Sequence, residues 1–546
     1  MEKPKDKTAT GPEGLSARDI FASDESIHKF LDSIERQETQ IARAEPGGWQ
    51  ASFVKVMVVA NLTLITAMVV YLVLTRNQVV VLPATEADQP AQARAIPPSN
   101  EPIVPVREAV SSDDTAVAMQ FAQELYEHGR YEQALAHYRA LAAKFAGGQQ
   151  DARLMAAYIQ LKTAMCHLRL NRPAEAVSLL NACISGPSPA VAALASYFSA
   201  IVEMQAQRYT VARLRLYNCL AIAGALPQDL QESLERESLF LLAQATISRY
   251  LQIGGAKDSL PDGFWDRPVL DNPAARFTYE ELVSFVSTGA DLFPSVPLIR
   301  QDSDPAGTTP TRWTIAAKNI GVFDLLSRLG GLGSFSMRWD TADSDRTRPV
   351  SVRLVNRTPD GAAEIIAGSA GLMASLRNGV PTVINPESIM SLDDQKNIYA
   401  AESLQLLNRF IVLYPNDAAL PTAYFAMAIV HERAGAATAA IANYKLIVSR
   451  YPNSPLVPFA LWQSSLVKLS MQDRSGAKED LQQLVAMNPD HMMHAQASMK
   501  LAELMVDDGM YREANRLFRK VYNMNPSGEY RTAAAFSAGQ CLYKLG

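Results

Sequence analysis

The sequence is poor in the residues that most metal centres and disulfide frameworks require. Its 546 residues include only four cysteines, with no CxxC pair, and only seven histidines, with no HExxH motif. Structural zinc sites and c-type haem attachment both depend on such closely spaced ligands. The formal net charge of −5 also leaves no basic excess to neutralise phosphates. These absences predict no metal, no cofactor and no nucleic-acid partner.

Motifs for enzymatic chemistry are also missing. The chain has no GxSxG, no Walker loop and no GxGxxG, and the GGLG at 330–333 follows a predicted helix, the wrong context for binding phosphate. His491 and His494 lie three residues apart, but two ligands do not define a metal site, and we interpret them as surface histidines. No convergent set of titratable residues is present. The sequence therefore predicts no enzymatic activity and no catalytic residues.

One long apolar run stands out from this background. Residues 56–74, VMVVANLTLITAMVVYLVL, carry no charge. As a helix they would span about 28 Å, close to the hydrocarbon thickness of a bilayer. A buried core helix or a signal peptide is the alternative, but a signal peptide would not follow some fifty polar residues. The run predicts a single-pass transmembrane helix at 53–75.

The segments that flank this helix are polar. Three basic residues precede it closely and two follow, so a weak positive-inside bias places the tail at 1–52 in the cytoplasm and the rest outside it. Apolar residues recur near helical spacing at 23–45, which fits a docking helix, a helix on the membrane or a solvated marginal helix. The Pro/Ala-rich stretch at 76–114 predicts an extended linker.

The rest of the chain is dominated by a repeat. Prolines 415, 452, 489 and 526 lie 37 residues apart, each after a helical pattern. Six segments share a small residue, which we call the reference position. Another small residue stands twelve positions before it. A large residue stands four positions after it, and an apolar residue stands seven positions after it. The reference residues are Ala134, Ala176, Ala212, Ala440, Ala477 and Ala514. Small residues let two helices approach closely and proline ends the second, so each segment predicts a helical hairpin.

This pattern resembles the tetratricopeptide repeat (TPR). The resemblance implies a mainly α fold, a TPR-like solenoid in two arrays at 115–252 and 387–546, because a single hairpin cannot bury its apolar face alone. It also implies that the chain binds other proteins. The sequence departs from the family pattern in lacking the tryptophan early in the first helix, and the N-terminal repeats lack the closing proline.

Two cysteines occupy one repeat position. Cys183 and Cys219 stand seven residues after the reference, where other repeats carry leucine, isoleucine or valine. Equivalent residues of stacked helices lie too far apart for an unstrained disulfide. We therefore predict that both are small buried apolar residues. Cys166 and Cys541 have no predicted role.

A different periodicity interrupts the repeats. Residues 253–310 are rich in glycine, proline and aspartate and predict a connector with one short helix near 278–290. Residues 311–386 predict a small α+β domain, a βαβ-βαβ string with strands at RWTIAAK, SFSMRWD and PVSVRLVNR. This string resembles the short N-terminal domain of secretins and TonB-dependent receptors. The resemblance implies a docking module in the envelope of double-membrane bacteria, and hence a bacterial inner-membrane protein with most of its chain in the periplasm.

The TPR resemblance also implies a binding groove lined by the first helices of the repeats. The positions predicted to face it are mostly apolar: Tyr126, Tyr158, Met165, Tyr197, Met204, Phe425, Ile429, Trp462, Leu466, Met499 and Phe536. Several of them could instead pack between repeats, since an aromatic or methionine at helical spacing is often core. If they are exposed, they predict a groove for an apolar helix or an extended segment.

Two functions fit these features. One is a membrane-anchored, non-enzymatic scaffold that binds partner proteins of a secretion, pilus or outer-membrane assembly system. The other is a transmembrane signal transducer that senses an envelope ligand through its exported repeats. The short predicted cytoplasmic tail carries no enzymatic motif, which favours the scaffold. Gly539 falls on the small position of a further first helix, so we expect either that the natural chain continues or that a partner covers 531–545.

Overall fold

The structure covers the repeats and the α+β domain. A computed structural model describes residues 115–145, 150–255, 264–265, 279–287, 293–294, 296–302, 312–333, 335–377, 380–389, 391–487, 493–524 and 528–546. The predicted membrane span at 53–75, the tail before it and the linker after it lie outside these residues. No helix within the described ranges is both long enough and apolar enough to cross a membrane.

Antiparallel helix pairs make up most of the described chain. The first helices of the pairs are α1 (Thr115–Glu127), α3 (Gln150–Arg169), α5 (Pro189–Gln205), α7 (Gln228–Ile253), α13 (Leu420–Arg433), α15 (Val457–Ser470), α17 (Met493–Asp507) and α19 (Gly528–Leu545). The second helices are α2 (Tyr131–Phe145), α4 (Pro173–Ile184), α6 (Tyr209–Ile222), α12 (Leu392–Leu413), α14 (Ala437–Arg450), α16 (Arg474–Ala486) and α18 (Tyr511–Asn523). Each second helix packs on its own first helix and on the next one along. The predicted helical solenoid is confirmed.

The repeat positions do what their sizes predict. All six reference alanines, and the small residue twelve positions before each, are fully buried where paired helices meet. Five residues before every reference the backbone turns with a positive φ, at Gly129, Asn171, Gln207, Gly435, Gln472 and Gly509. A left-handed residue at this point reverses the chain between the first and second helix.

The two predicted arrays are halves of one solenoid. Helix α7 packs along α12, although the chain leaves the solenoid after Ile253 and returns only near Ser391. Helix α12 carries the second-helix pattern: Ser403 is buried at the reference position, Leu407 and Phe410 are buried four and seven residues later, and Pro415 follows at twelve. The α+β domain is therefore inserted between the first and second helix of a single repeat.

The insertion contains two small sheets. Its elements are β1 (Leu298–Asp302), β2 (Arg312–Gly321), α9 (Val322–Gly333), β3 (Arg338–Asp340), α10 (Asp343–Arg346), β4 (Pro349–Arg357), α11 (Pro359–Ser369), β5 (Met373–Arg377) and β6 (Val380–Ile384). One sheet has the antiparallel order β1-β2-β4; the other has the order β3-β6-β5, with β3 parallel to β6 and β5 antiparallel to it. The predicted βαβ-βαβ string is present, whereas β1 and α10 were not predicted.

Local sequence explains the insertion's second half. Val350, Val352 and Leu354 alternate along β4 and are buried on one side of the sheet. The Thr358 side chain accepts a hydrogen bond from the Gly361 backbone N–H, which caps α11 ahead of its first-turn proline. Gly371, with φ +78°, lets the chain leave the helix.

The insertion is packed tightly against the solenoid. Helix α11 lies on α6, and β4 lies on the short 3₁₀ turn Ala223–Ala225 that follows α6. A Cβ at Gly368 would collide with the ring of Tyr217, and one at Gly224 would collide with the backbone oxygen of Arg353. Glycine is needed at both points because the two backbones approach so closely.

Candidate protein-binding face

The first helices form one face of the solenoid, here called the first-helix face, and most predicted groove residues are buried within it. The buried residues are Tyr126, Tyr158, Met165, Tyr197, Phe425, Ile429 and Met499, each at most 7% exposed. For these seven the alternative interpretation holds: they pack inside the structure and are not exposed anchors. Met204, Trp462 and Leu466 are half-buried. Phe536 is 67% exposed.

Part of this burial comes from the connector. A nine-residue helix, α8 (Tyr279–Ser287), lies against α3 and α5, both first helices. It matches the short helix predicted near 278–290. Leu282, Phe285 and Val286 point inward and are buried in the same core as the repeats. Their i, i+3, i+4 spacing puts the three side chains on one face of α8.

A second piece of the connector covers the middle of the solenoid. The rings of Phe264 and Trp265 pack edge-on, with centroids 4.6 Å apart. Trp265 contacts Phe240 of α7 at 6.0 Å, and Phe264 contacts Phe425 of α13 at 5.3 Å. The predicted groove residue Phe425 is therefore covered by the connector. Helix α8 and the Phe264–Trp265 pair together occupy the first-helix face from α3 to α13.

Beneath α8, helix α3 is buried on nearly every side. Its Lys162 is fully buried, and the ammonium lies 4.7 Å from the ring centroid of Tyr126 and 5.9 Å from that of Tyr138. A cation over aromatic rings recovers part of the free energy lost when the ammonium leaves water. Burial raises the pKa of the Tyr138 hydroxyl above its ordinary value, so it stays neutral beside these groups.

Within the described residues, the first-helix face is open at α17 to α19. Helices α17, α18 and α19 border a groove of about 800 Å³, with Tyr511 and Phe518 in its wall. Phe536, Gly539 and Tyr543 line it from α19, where their i, i+3, i+7 spacing defines one helix face. Phe536 is 67% and Tyr543 is 85% exposed. The apolar face predicted to be uncovered at 531–545 is uncovered in the structure.

A buried charge network joins the insertion to α6 and to α12, the second helix of the repeat that the insertion divides. The sequence does not predict this network. Arg213 of α6 forms a two-pronged ion pair with Glu402 of α12, with a closest distance of 2.6 Å. Arg213 Nη2 also donates to the Leu372 carbonyl oxygen of the insertion at 3.0 Å. Glu364 of α11 accepts both prongs of Arg409 of α12, at 3.0 Å and 2.5 Å.

The network is balanced in charge. Burial alone would lower the pKa of the Arg213 guanidinium, but Glu402, Tyr217 and Tyr399 together raise it above its ordinary value. Burial and the two neighbouring carboxylates raise the pKa of Tyr217, whose hydroxyl lies 2.9 Å from Glu402 Oε1. Two arginines therefore meet two carboxylates, and no net charge is buried. The repeat pattern does not predict these residues, because they make contacts with the insertion and not with a neighbouring repeat.

The cysteines are structural. Cys183 and Cys219 are fully buried and free, which confirms their interpretation as small apolar residues. Burial raises the pKa of both thiols to about 12, and that of Cys166 to about 12 as well, so they remain protonated and unreactive. Cys541 packs in a smaller core formed by α17, α18 and α19.

The described residues hold no group of three or more His, Cys, Asp or Glu side chains that could bind a metal ion. His494 is 1% exposed on α17, so the expectation of a surface histidine is wrong there, because this helix turns it toward the core. His491 lies outside the described residues.

Comparison with known proteins agrees with the repeat geometry. Residues 119–190 and 422–454 each match a family model for the tetratricopeptide repeat. These segments are tetratricopeptide repeats. The first match spans α1 to α4, and the second spans α13 and α14, on either side of the insertion. No curated protein matches the chain.

Several solved TPR structures are similar to this chain at low identity. A TPR protein from Parabacteroides merdae ATCC 43184 is 8% identical, with 78% of this chain and 99% of that one covered and a TM-score of 0.33. The TPR domain of P58(IPK) is 13% identical, with coverage of 79% and 99% and a TM-score of 0.21. A thermophilic TPR protein from Thermus thermophilus is 18% identical, with coverage of 27% and 94% and a TM-score of 0.16.

Proposed function

We propose that this chain is a membrane-anchored, non-enzymatic scaffold of the bacterial cell envelope. Tetratricopeptide-repeat proteins typically mediate protein–protein interactions, and the repeats carry that role here. The uncharged run at 56–74 supplies the anchor and holds the protein in the inner membrane. The described repeats and the insertion lie in the periplasm, where they hold proteins of a secretion, pilus or outer-membrane assembly system.

One observation carries the scaffold role. The open groove on α19 presents Phe536 and Tyr543, 67% and 85% exposed, beside a wall that contains Tyr511 and Phe518. Large exposed aromatic side chains next to a concave apolar surface favour binding of another protein segment. Lys544 on one side, and Glu503 and Asp507 on the other, give this groove a mixed charged rim. An apolar segment of a partner protein fits such a groove better than a charged one.

The insertion has a supporting role in this proposal. Its resemblance to the short N-terminal domain of secretins and TonB-dependent receptors favours a second docking module. Its attachment to α6, α7 and α12 fixes that module to the repeats: Arg249 of α7 pairs with Glu387 at 2.7 Å, and Arg357 of β4 pairs with Glu235 of α7. A partner bound to the insertion and one bound to α19 are thereby held by one chain.

Site-specific photo-crosslinking in intact cells tests the scaffold role. A photoreactive residue replaces Phe536 in one version of the full chain and Val412 in a control. Val412 is also apolar and 76% exposed, but it lies on α12, a second helix. We expect a defined adduct with an envelope protein from position 536 and none from position 412. Adding Tyr543→Ala to the first version should reduce the adduct at least about tenfold, the effect of losing a central aromatic anchor. Equal adducts from both positions, or none from position 536, would contradict the proposal.

A further inference from the structure

Helix α8 is a short helix bound on the first-helix face by its own chain. It contributes three buried apolar side chains, Leu282, Phe285 and Val286, while Glu281 and Ser284 on its other side are exposed. The two helices it contacts, α3 and α5, are neighbouring first helices. An amphipathic helix laid into an apolar groove with anchors at i, i+3 and i+4 is a general mode of peptide recognition. Here that mode is used within one molecule.

The α3–α5 groove, defined as the surface of α3 and α5 covered by α8, is filled by a helix that belongs to none of the repeats. Residues 279–287 lie outside the repeat register, and no other repeat in the described part of the chain has a third helix across its first helices. The other described repeats therefore have no comparable helix on the equivalent surface.

We propose that the α3–α5 groove binds a partner helix that carries the same apolar triad, and that α8 closes the groove until such a helix displaces it. This inference rests on the proposed scaffold function and names its second binding site and the chemistry of its ligand. The partner is an amphipathic helix with Leu or another aliphatic residue, an aromatic residue three positions later and an aliphatic residue directly after that. Its opposite face is polar.

The size of α8 suits it to exchange. Docking fully buries three large side chains and half-buries Val283, while nine residues lose their conformational freedom, and these two contributions to the free energy are of comparable size. The docked state gains from tethering, because the docking of a segment of the same chain is an intramolecular event. A partner helix with a longer apolar face, or one held close by the scaffold, can therefore compete.

A peptide-binding measurement tests the proposal on the full chain purified in detergent. In one variant, residues 279–287 are replaced by a Gly/Ser segment of equal length, which removes the helix and keeps the connector. The probe is a fluorescent peptide of sequence 276–290. We expect the variant to bind it at least about tenfold more tightly than the wild-type chain, since the tethered competitor is gone. A peptide with Leu282→Asp and Phe285→Asp should not bind.

Hydrogen exchange on the unmodified chain keeps the proposal testable if the variant fails to fold. We expect the α8 amides to exchange much faster than those of α3 and α5, because α8 opens without unfolding the solenoid. Exchange of α8 at the same slow rate as α3 and α5 would overturn the proposal, and so would a folded variant that does not bind the peptide. Either result would leave the scaffold function standing if position 536 still captures an envelope protein.

Discussion

At the scale of single residues, the turn between the helices of each repeat is set by one backbone conformation. Three repeats use glycine there, at 129, 435 and 509, and three use asparagine or glutamine, at 171, 207 and 472, all with positive φ. The signal was present in the sequence, five residues before each reference alanine. Residue types alone do not reveal it, because glutamine is a rare choice for a left-handed position.

Gly435 offers a direct test of that turn. A Cβ at this position would contact nothing within 4 Å, so Gly435→Ala changes only the backbone preference. We expect it to lower the free energy of unfolding by about 1 kcal/mol, because an L-residue is disfavoured at φ +76°. Urea unfolding followed by circular dichroism measures the change.

At a matched glycine, substitution by alanine should change the free energy of unfolding in the opposite direction. Gly331 lies in α9 with open space around it and no positive φ. Gly331→Ala should raise the free energy of unfolding by about 0.5 kcal/mol, since alanine has less freedom to lose in a helix. Identical effects of the two substitutions would contradict the assignment of the turn.

At the scale of elements, the split repeat depends on contacts between segments that are far apart in sequence. Glu402 and Arg213 lie on α12 and α6 with side chains 11% and 4% exposed. Removing one partner of a buried ion pair leaves the other charge without compensation. We expect Glu402→Ala to lower the free energy of unfolding by about 3–5 kcal/mol, measured by the same urea titration.

Two controls separate this effect from the loss of any ion pair. Arg172 and Glu132 also pair, at 2.5 Å, but their side chains are 42% and 58% exposed. Glu132→Ala should cost less than about 1 kcal/mol. The double substitution of Glu402→Leu with Arg213→Met should cost less than the sum of the two single changes. Additive losses would show that the two groups do not act as a pair.

The elements also show which features the sequence could predict. The reference alanines, the large residues such as Leu180 and Phe518, and the spaced prolines recur with the period of the repeat. Their periodicity is visible in the sequence because each position serves the packing of neighbouring helices. The second-helix pattern around Ser403 was not recognised as half of a repeat, because its first helix, α7, lies more than a hundred residues earlier. A local pattern cannot show pairing across an insertion.

The candidate binding face was predicted less well than the fold. The position of Phe425 on a first helix was predicted correctly, but its exposure was not, because Phe264 covers it. The covering residues come from a connector whose glycine, proline and aspartate content gives no sign of packing. By contrast, Phe536 has no covering segment in the described part of the chain, and it is exposed as expected.

At the scale of the whole molecule, the described region is one solenoid with two distinct parts of its first-helix face. The part at α3, α5, α7 and α13 is covered by the connector, and the part at α17 to α19 is open. The insertion is joined to α6, α7 and α12 by polar contacts, near the middle of the solenoid. Under the proposed function, one partner binds at the open end, a second helix competes with α8 for the α3–α5 groove, and the insertion lies between these two surfaces.

Our central proposal is that the uncharged run at 56–74 is a membrane anchor that places all of these surfaces on the far side of the inner membrane. Fusion of two reporters at Gly546 tests it most directly, one active only in the cytoplasm and one active only after export. The account predicts an active exported reporter and a silent cytoplasmic one. An active cytoplasmic reporter with a silent exported one would contradict it, because the repeats and the insertion could then meet no envelope partner.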